Sequence, residues 1–128
     1  MANWIFTINA EEGEFKKRID RKQWPIFKRT PCRKSIDEGD RVVFYKAGKN
    51  GQIFLGTARL TSYSKKVSQL NYVVEFKDVK LWRKGANIKN LVHELEIIGN
   101  PVLWSCYMQG GIKNIGDKDF ELIVSNSR

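Results

Sequence analysis

Two apolar runs on either side of one turn constrain this chain more than any other feature. Val42–Tyr45 ends in Phe-Tyr, the segment 52–60 (QIFLGTARL) returns, and the intervening AGKNGQ carries Asn50-Gly51, a good hairpin signal. An antiparallel pair at the centre of a chain has to be extended into a sheet and covered on at least one face. NWIFTI (3–8) reads as a buried strand, NYVVEFKDVKLW (71–82) as a third long strand and IKNI (112–115) as a short one. EEGEFKKRID (11–20) predicts a short helix with Phe15 and Ile19 one turn apart, with Asn9 as its N-cap and Glu12 at N3 in a capping box. NIKNLVHEL predicts a helix over 87–95, because Ile88, Leu91, Val92 and Leu95 fall at helical spacing. IIGNPVLWSCYMQGG reads as a short aromatic turn or helix bracketed by Pro101 and the glycines at 99, 110 and 111, and DKDFELIVSN as a final helix from Asp117. The stretches 21–34 and 63–70 read as loops. With 128 residues and 41% hydrophobic content, the chain can bury one core. The expectation is a single α+β domain over 1–128, about five to six strands curling into a small barrel flanked by short helices.

Charge is unevenly spread. The formal net charge is +9. Residues 14–34 hold Lys16, Lys17, Arg18, Arg21, Lys22, Lys28, Arg29, Arg33 and Lys34 against Glu14 and Asp20. A concentrated basic face is the electrostatic footprint of a nucleic-acid binder; an anionic membrane or an acidic protein is the alternative contact. Cys32 and Cys106 do not suggest a disulfide framework, and neither a secretory leader nor a membrane span is visible, so a reducing, cytoplasmic setting without a membrane partner is expected.

Catalytic patterns are scarce. His93 is the only histidine and falls on the predicted helix 87–95. Two Cys and one His, widely separated, lack the spacing of a zinc site, so neither metal nor cofactor is expected. The pairs Glu11/Glu12 and Asp117/Asp119 sit in predicted first turns, where they offset the helix dipole. No P-loop, GxGxxG or GxSxG occurs.

Four tryptophans remain to be explained. Trp4 belongs to a strand core, Trp82 to a strand end, and Trp104 either packs the core or lines a cleft. Trp24 is unusual, set in RKQWPIFKRTPCRK (21–34) with no acid beside it. There an aromatic can stack a nucleobase or form part of a methyl-recognising cage, or it can pin the loop to the body by its own burial.

The order of these segments resembles a known family. NWIFTINAEEGEFKKRIDRKQWPIFKRT is similar to the opening of PUA-like reader domains, and IDEGDRVVFYKAGKNGQIFLGTARLTS to the EVE-domain pattern of Gly-Asp turn, apolar strand, hairpin and return strand. ELEIIGNPVLWSCYMQGGIKNIGDKDFELI resembles the C-terminal EVE segment with its Trp-Ser pair and final helix. An EVE domain, related to YTH and McrB-type N-terminal domains, implies a reader rather than an enzyme: a protein that flips a modified, typically methylated, base of DNA or RNA into an aromatic cage. By that resemblance Trp24 matches the first cage tryptophan, Asn9 the polar position after the first strand, and Pro25 and Ile26 the backbone that meets the base edge. Tyr63 lies in the loop that supplies a second cage aromatic, where a Trp is expected. Trp104 and Ser105 match the Trp-Ser pair near the pocket, and Met108, Gln109 and Gly110 fall in the loop over the base. Lys28, Arg29, Arg33 and Lys34 would meet phosphates. The implied partner is nucleic acid carrying a modified base, with an effector protein or fused domain downstream. Two rivals stand beside this reading. One is a PUA-like enzyme of the ASCH type acting on RNA or modified nucleosides, for which Lys28 with Tyr45 is the pair to nominate. The other is an adaptor docking its basic face on an acidic partner.

Overall fold

The computed structural model describes residues 1–9, 12–30, 32–48, 51–108 and 111–127, with the side chains of Glu12 and Cys106 also outside the description. In chain order the elements are β1 (Asn3–Ile8), α1 (Glu12–Arg21), β2 (Gln23–Phe27), β3 (Arg41–Lys46), β4 (Ile53–Leu60), β5 (Lys65–Lys66), β6 (Asn71–Asn87), α2 (Trp104–Tyr107), β7 (Ile112–Ile115) and α3 (Asp117–Ser125). Short 3-10 turns cover Arg33–Ser35, Ile88–Asn90 and Pro101–Leu103.

The strands form one sheet in the order β2-β6-β4-β3-β1-β7, with β5 also paired to β6. β1 and β3 run parallel, and every other pairing is antiparallel. The sheet curls without closing: β2 and β7 sit at its two ends and do not pair, so the expected barrel is an open half-barrel. Curl comes from irregular pairing between β4 and β6, whose register shifts between Phe54 and Gly56 and again between Thr57 and Arg59. Glycine at position 56 permits the close crossing there, since a Cβ would collide with the Lys80 carbonyl.

β1 and β3 carry unbroken apolar runs, Trp4–Phe6 and Val42–Tyr45, because both of their faces are covered. Trp4, Phe6 and Ile8 with Val42 and Phe44 enter one cluster, which Phe15 and Ile19 of α1 help to cover. Ile5 with Val43 and Tyr45 enters the other, together with Phe54, Ile88, Leu91, Phe120 and Ile123. Two buried carboxylates tie loops to this body. Asp40 accepts from the Trp4 indole at 2.9 Å and from the backbone N–H of Ala2 and Asp37. Asp119 accepts from the N–H groups of Glu96 and Ile97 at 2.7 and 2.9 Å, so it anchors a loop beyond its place in the first turn of α3.

Four expectations need correction. The loop read over 63–70 contains the short strand β5, Lys65–Lys66, paired to β6. The segment 21–34 is not all loop: residues 23–27 form β2, and its alternation turns Trp24 and Ile26 inward while Gln23, Pro25 and Phe27 face out. The helix expected over 87–95 is a 3-10 turn at Ile88–Asn90 followed by turns, even though Ile88, Leu91, Val92 and Leu95 are all buried. The third long strand runs five residues further than Trp82, to Asn87. α1 starts at Glu12, and the capping box with the Glu12 side chain lies outside the described residues, as does Asn50 of the hairpin turn. Cys32 is a free, exposed thiol.

Candidate functional site

The parallel pairing of β1 with β3 brings the C-terminal ends of both strands to one place. Thr7 pairs with Tyr45 and Ile8 with Lys46, and the Ala47 N–H donates to the Ile8 carbonyl at 2.9 Å. Beyond these ends opens a cleft of about 500 Å³, within the range of small-molecule sites. Its floor and one side come from Thr7, Asn9, Tyr45, Ala47, Gly48 and Gln52; the opposite wall is Trp104, Ser105 and Met108, with Gly111 at the end. The Thr7 N–H donates to the Gly111 carbonyl at 2.9 Å, which closes that end. The wall is tied to β7, where the Lys113 ammonium donates to the Tyr107 carbonyl at the C-terminus of α2.

The side chains of Thr7, Asn9, Tyr45, Gln52 and Ser105 make no hydrogen bond to any described residue. No described lining residue is charged, in a protein whose net charge is +9. A half-buried tryptophan, a methionine and a ring of unpaired neutral donors and acceptors suit a flat, uncharged, hydrogen-bonding group.

Burial pushes the Tyr45 phenol up to about 12, so it stays a neutral donor. An unfolded tyrosine gives up its proton near pH 10. The folded state therefore binds more protons from there up to about 12, and stability falls as pH rises through that window. Relative to Tyr45→Phe, the wild-type protein is expected to lose thermal stability in that alkaline window, read as the difference between the two melting curves. At neutral pH the two should show no such pH-dependent difference.

Gly48 has φ +99°, and a Cβ there would stand 2.6 Å from Asn9 Oδ1. Gly48→Ala is expected to cost about 1–3 kcal/mol of backbone strain and to push the Asn9 carboxamide out of place. Chemical denaturation reads the first effect and ligand titration the second.

Of the residues nominated from sequence, Asn9, Trp104, Ser105 and Met108 meet in this cleft, as does Tyr45 of the catalytic alternative. Gln109 and Gly110 lie outside the described residues, between Met108 and Gly111, which both line it. Trp24 does not join them: it is 2% exposed, packed among Phe6, Phe15 and Phe44. Ile26 is buried in the same cluster and Pro25 faces out from β2, so neither shares the cleft. Tyr63 is 64% exposed and lines a separate depression with Arg33 and Lys34. Lys28, Arg29, Arg33 and Lys34 follow β2 and precede β3, which puts them at the end of β3 opposite the cleft. Lys28 and Tyr45 are thereby parted as well. Thr7, Ala47, Gly48 and Gln52 escaped sequence reasoning, since only the β1–β3 pairing and the hairpin bring them together. Among the described residues no group of three or more His, Cys, Asp or Glu is arranged to hold a metal, and no helix is long and apolar enough to cross a membrane.

No family model matches the chain, and no curated protein sequence matches it. Solved structures do match. Human THYN1, in complex with DNA containing 5-methylcytosine, superposes with a TM-score of 0.68 at 11% identity, covering 98% of this chain and 96% of that one. ASCH from Zymomonas mobilis gives 0.65 at 14% identity over 98% and 96%, and a protein from Pseudomonas putida 0.71 at 11% over 97% and 98%. The fold is PUA-like. At these identities the likeness carries the architecture, and the PUA-like half-barrel accounts for the curled mixed sheet flanked by helices.

Proposed function

We propose that this PUA-like protein is an EVE-type reader: it binds nucleic acid and accepts a flipped, modified base in the cleft between β1, β3 and α2, without catalysing a reaction on it. The observation that carries the reading is the cleft's neutral lining, in which five polar side chains without a hydrogen-bond partner among the described residues share the space with Trp104 and Met108. A nucleobase is flat, uncharged and edged with donors and acceptors, so one wall can stack it while the other reads its edge. Extracting a base from a duplex costs a few kcal/mol, a sum comparable with one stacking contact plus hydrogen bonds. The solved complex of human THYN1 with 5-methylcytosine DNA supports the ligand class, since it shares this fold. The catalytic alternative relied on Lys28 acting with Tyr45, and their separation removes its only nominated pair.

The test is a titration of the whole protein with short DNA and RNA, single- and double-stranded, unmodified or carrying 5-methylcytosine, 5-hydroxymethylcytosine or N6-methyladenine. At least one modified oligomer is expected to bind tenfold or more tighter than its unmodified twin, and to be recovered chemically unchanged. Equal affinity for every pair would refute the reader, and turnover of an oligomer would replace it with an enzyme.

A further inference from the structure

The basic loop and the polar loop, read separately from sequence, are one surface. The Lys28 N–H donates to the Leu70 carbonyl at 2.9 Å, and Ser64 Oγ to the Arg33 carbonyl at 3.4 Å. Arg33 is fixed between them, its Nε 3.2 Å from the Lys28 carbonyl and its guanidinium 3.9 Å above the Tyr72 ring. A depression of about 430 Å³ lies here, lined by Arg33, Lys34, Ser35, Tyr63 and Ser64 and by one carboxylate, Asp37. Around it Lys28, Arg29, Lys34 and Lys66 are exposed and form no ion pair with a described residue, while Lys65 is paired to Glu75. Tyr63 and Phe27 are exposed at 64% and 67% beside these cations.

This rim is remote from the cleft. Gln52 borders the cleft just before β4, and Tyr63 follows the other end of that strand. Eight residues of strand run about 23 Å, beyond the reach of any side chain. The cations therefore do not hold the backbone of a nucleotide whose base sits in the cleft.

We propose that the rim is a second nucleic-acid contact, which binds an unpaired strand through phosphate contacts from Lys28, Arg29, Lys34 and Lys66 and through stacking of a base on Tyr63. Charge selects a polyanion. Exposed aromatic faces select unpaired bases, because the faces of paired bases are covered by their neighbours. A second copy of the chain is a poor occupant, since a two-fold contact would set like charges against each other. The proposal shares only its ligand class with the cleft reading and stands on separate residues.

The experiment compares wild type, the triple variant Lys28→Ala/Arg29→Ala/Lys34→Ala, Tyr63→Ala and Trp104→Ala. Each is titrated with an unmodified labelled oligothymidylate across a salt series, and separately with free 5-methyl-2′-deoxycytidine, which has no phosphate. For the oligomer, the triple variant is expected to bind at least tenfold more weakly and to flatten the slope of log affinity against log salt by about 2. Tyr63→Ala is expected to lose roughly tenfold, and Trp104→Ala to lose markedly less than the triple variant does. Wild-type affinity in the triple variant would overturn the proposal. So would equal loss in Trp104→Ala, which would mean one site, or an unchanged Tyr63→Ala with polyglutamate competing as well as DNA, which would mean an acidic protein surface as the partner. Loss of nucleoside binding bears on the cleft alone and leaves the rim result readable.

Discussion

Trp24→Ala is expected to destabilise the protein by about 3–5 kcal/mol while the molecules that remain folded still bind their ligand in the cleft. The indole is 2% exposed. Its ring centroid lies 5.2 Å from Phe44 in a near-parallel stack at 27°, 5.7 Å from Phe6 and 6.3 Å from Phe15 in an edge contact. The Arg18 guanidinium covers its outer face at 4.7 Å. Removal opens a void where α1 packs against β2 and β3, and lost transfer energy and the unfilled cavity both count against the fold. Against a total stability of about 5–15 kcal/mol for a domain of this size, that leaves a marginal protein. Trp24→Phe keeps most of the buried area and should cost less than half as much. Urea denaturation measures both changes, and titration of the folded fraction measures binding. If Trp24→Ala kept its stability and lost its ligand, Trp24 would be a stacking residue after all.

Trp24 also shows why the sequence misled at this point. The flanking Arg21, Lys22, Lys28 and Arg29 are exposed, and they made the whole segment look like a basic loop. β2 has only five residues, with a proline and an exposed Phe27 on its outer face, so its period-2 pattern holds just two inward positions. Residues 87–95 misled for a different reason. Spacing at i, i+3, i+4 and i+7 reported correctly that Ile88, Leu91, Val92 and Leu95 are buried, but successive tight turns satisfy the same spacing as a helix. The central hairpin, β1, β7 and α3 were legible because each has a run long enough to express one period and a turn or cap to end it. The cleft was only half legible. Asn9, Trp104 and Ser105 came from family resemblance, whereas Tyr45, Gly48 and Gln52 depend on a parallel pairing between segments nearly forty residues apart. Nothing local in the sequence announces that register. The cations expected to serve the cleft lie apart from it on topology too: Lys28 and Asn9 are close in sequence, yet α1 and β2 carry the chain between them from one end of the sheet to the other.

Trp104→Ala is expected to weaken binding of the modified base by roughly 5- to 150-fold, the equivalent of the 1–3 kcal/mol that a base–aromatic stack contributes. Trp104 is the one tryptophan on the cleft wall. It is only half-buried, packed at the margin of the cluster that contains Tyr45 and Met108. Its truncation should therefore cost the fold much less than that of Trp24, and the two variants should separate cleanly: one loses stability, the other affinity. The wall's position also matters. Lys113 holds α2 through the Tyr107 carbonyl, so Lys113→Met should weaken binding by loosening the wall while leaving every cleft side chain in the sequence unchanged. Indole fluorescence gives a direct readout, since stacking a base on Trp104 quenches it and Trp104→Ala removes the quenching along with the affinity. Trp104→Phe, which retains a ring of smaller area, is expected to fall between wild type and alanine. A graded series of that kind follows from stacking on the wall. Full affinity in Trp104→Ala, with Asn9→Ala also silent, would mean that the neutral cleft holds no base and that nucleic acid meets this protein only at the basic rim.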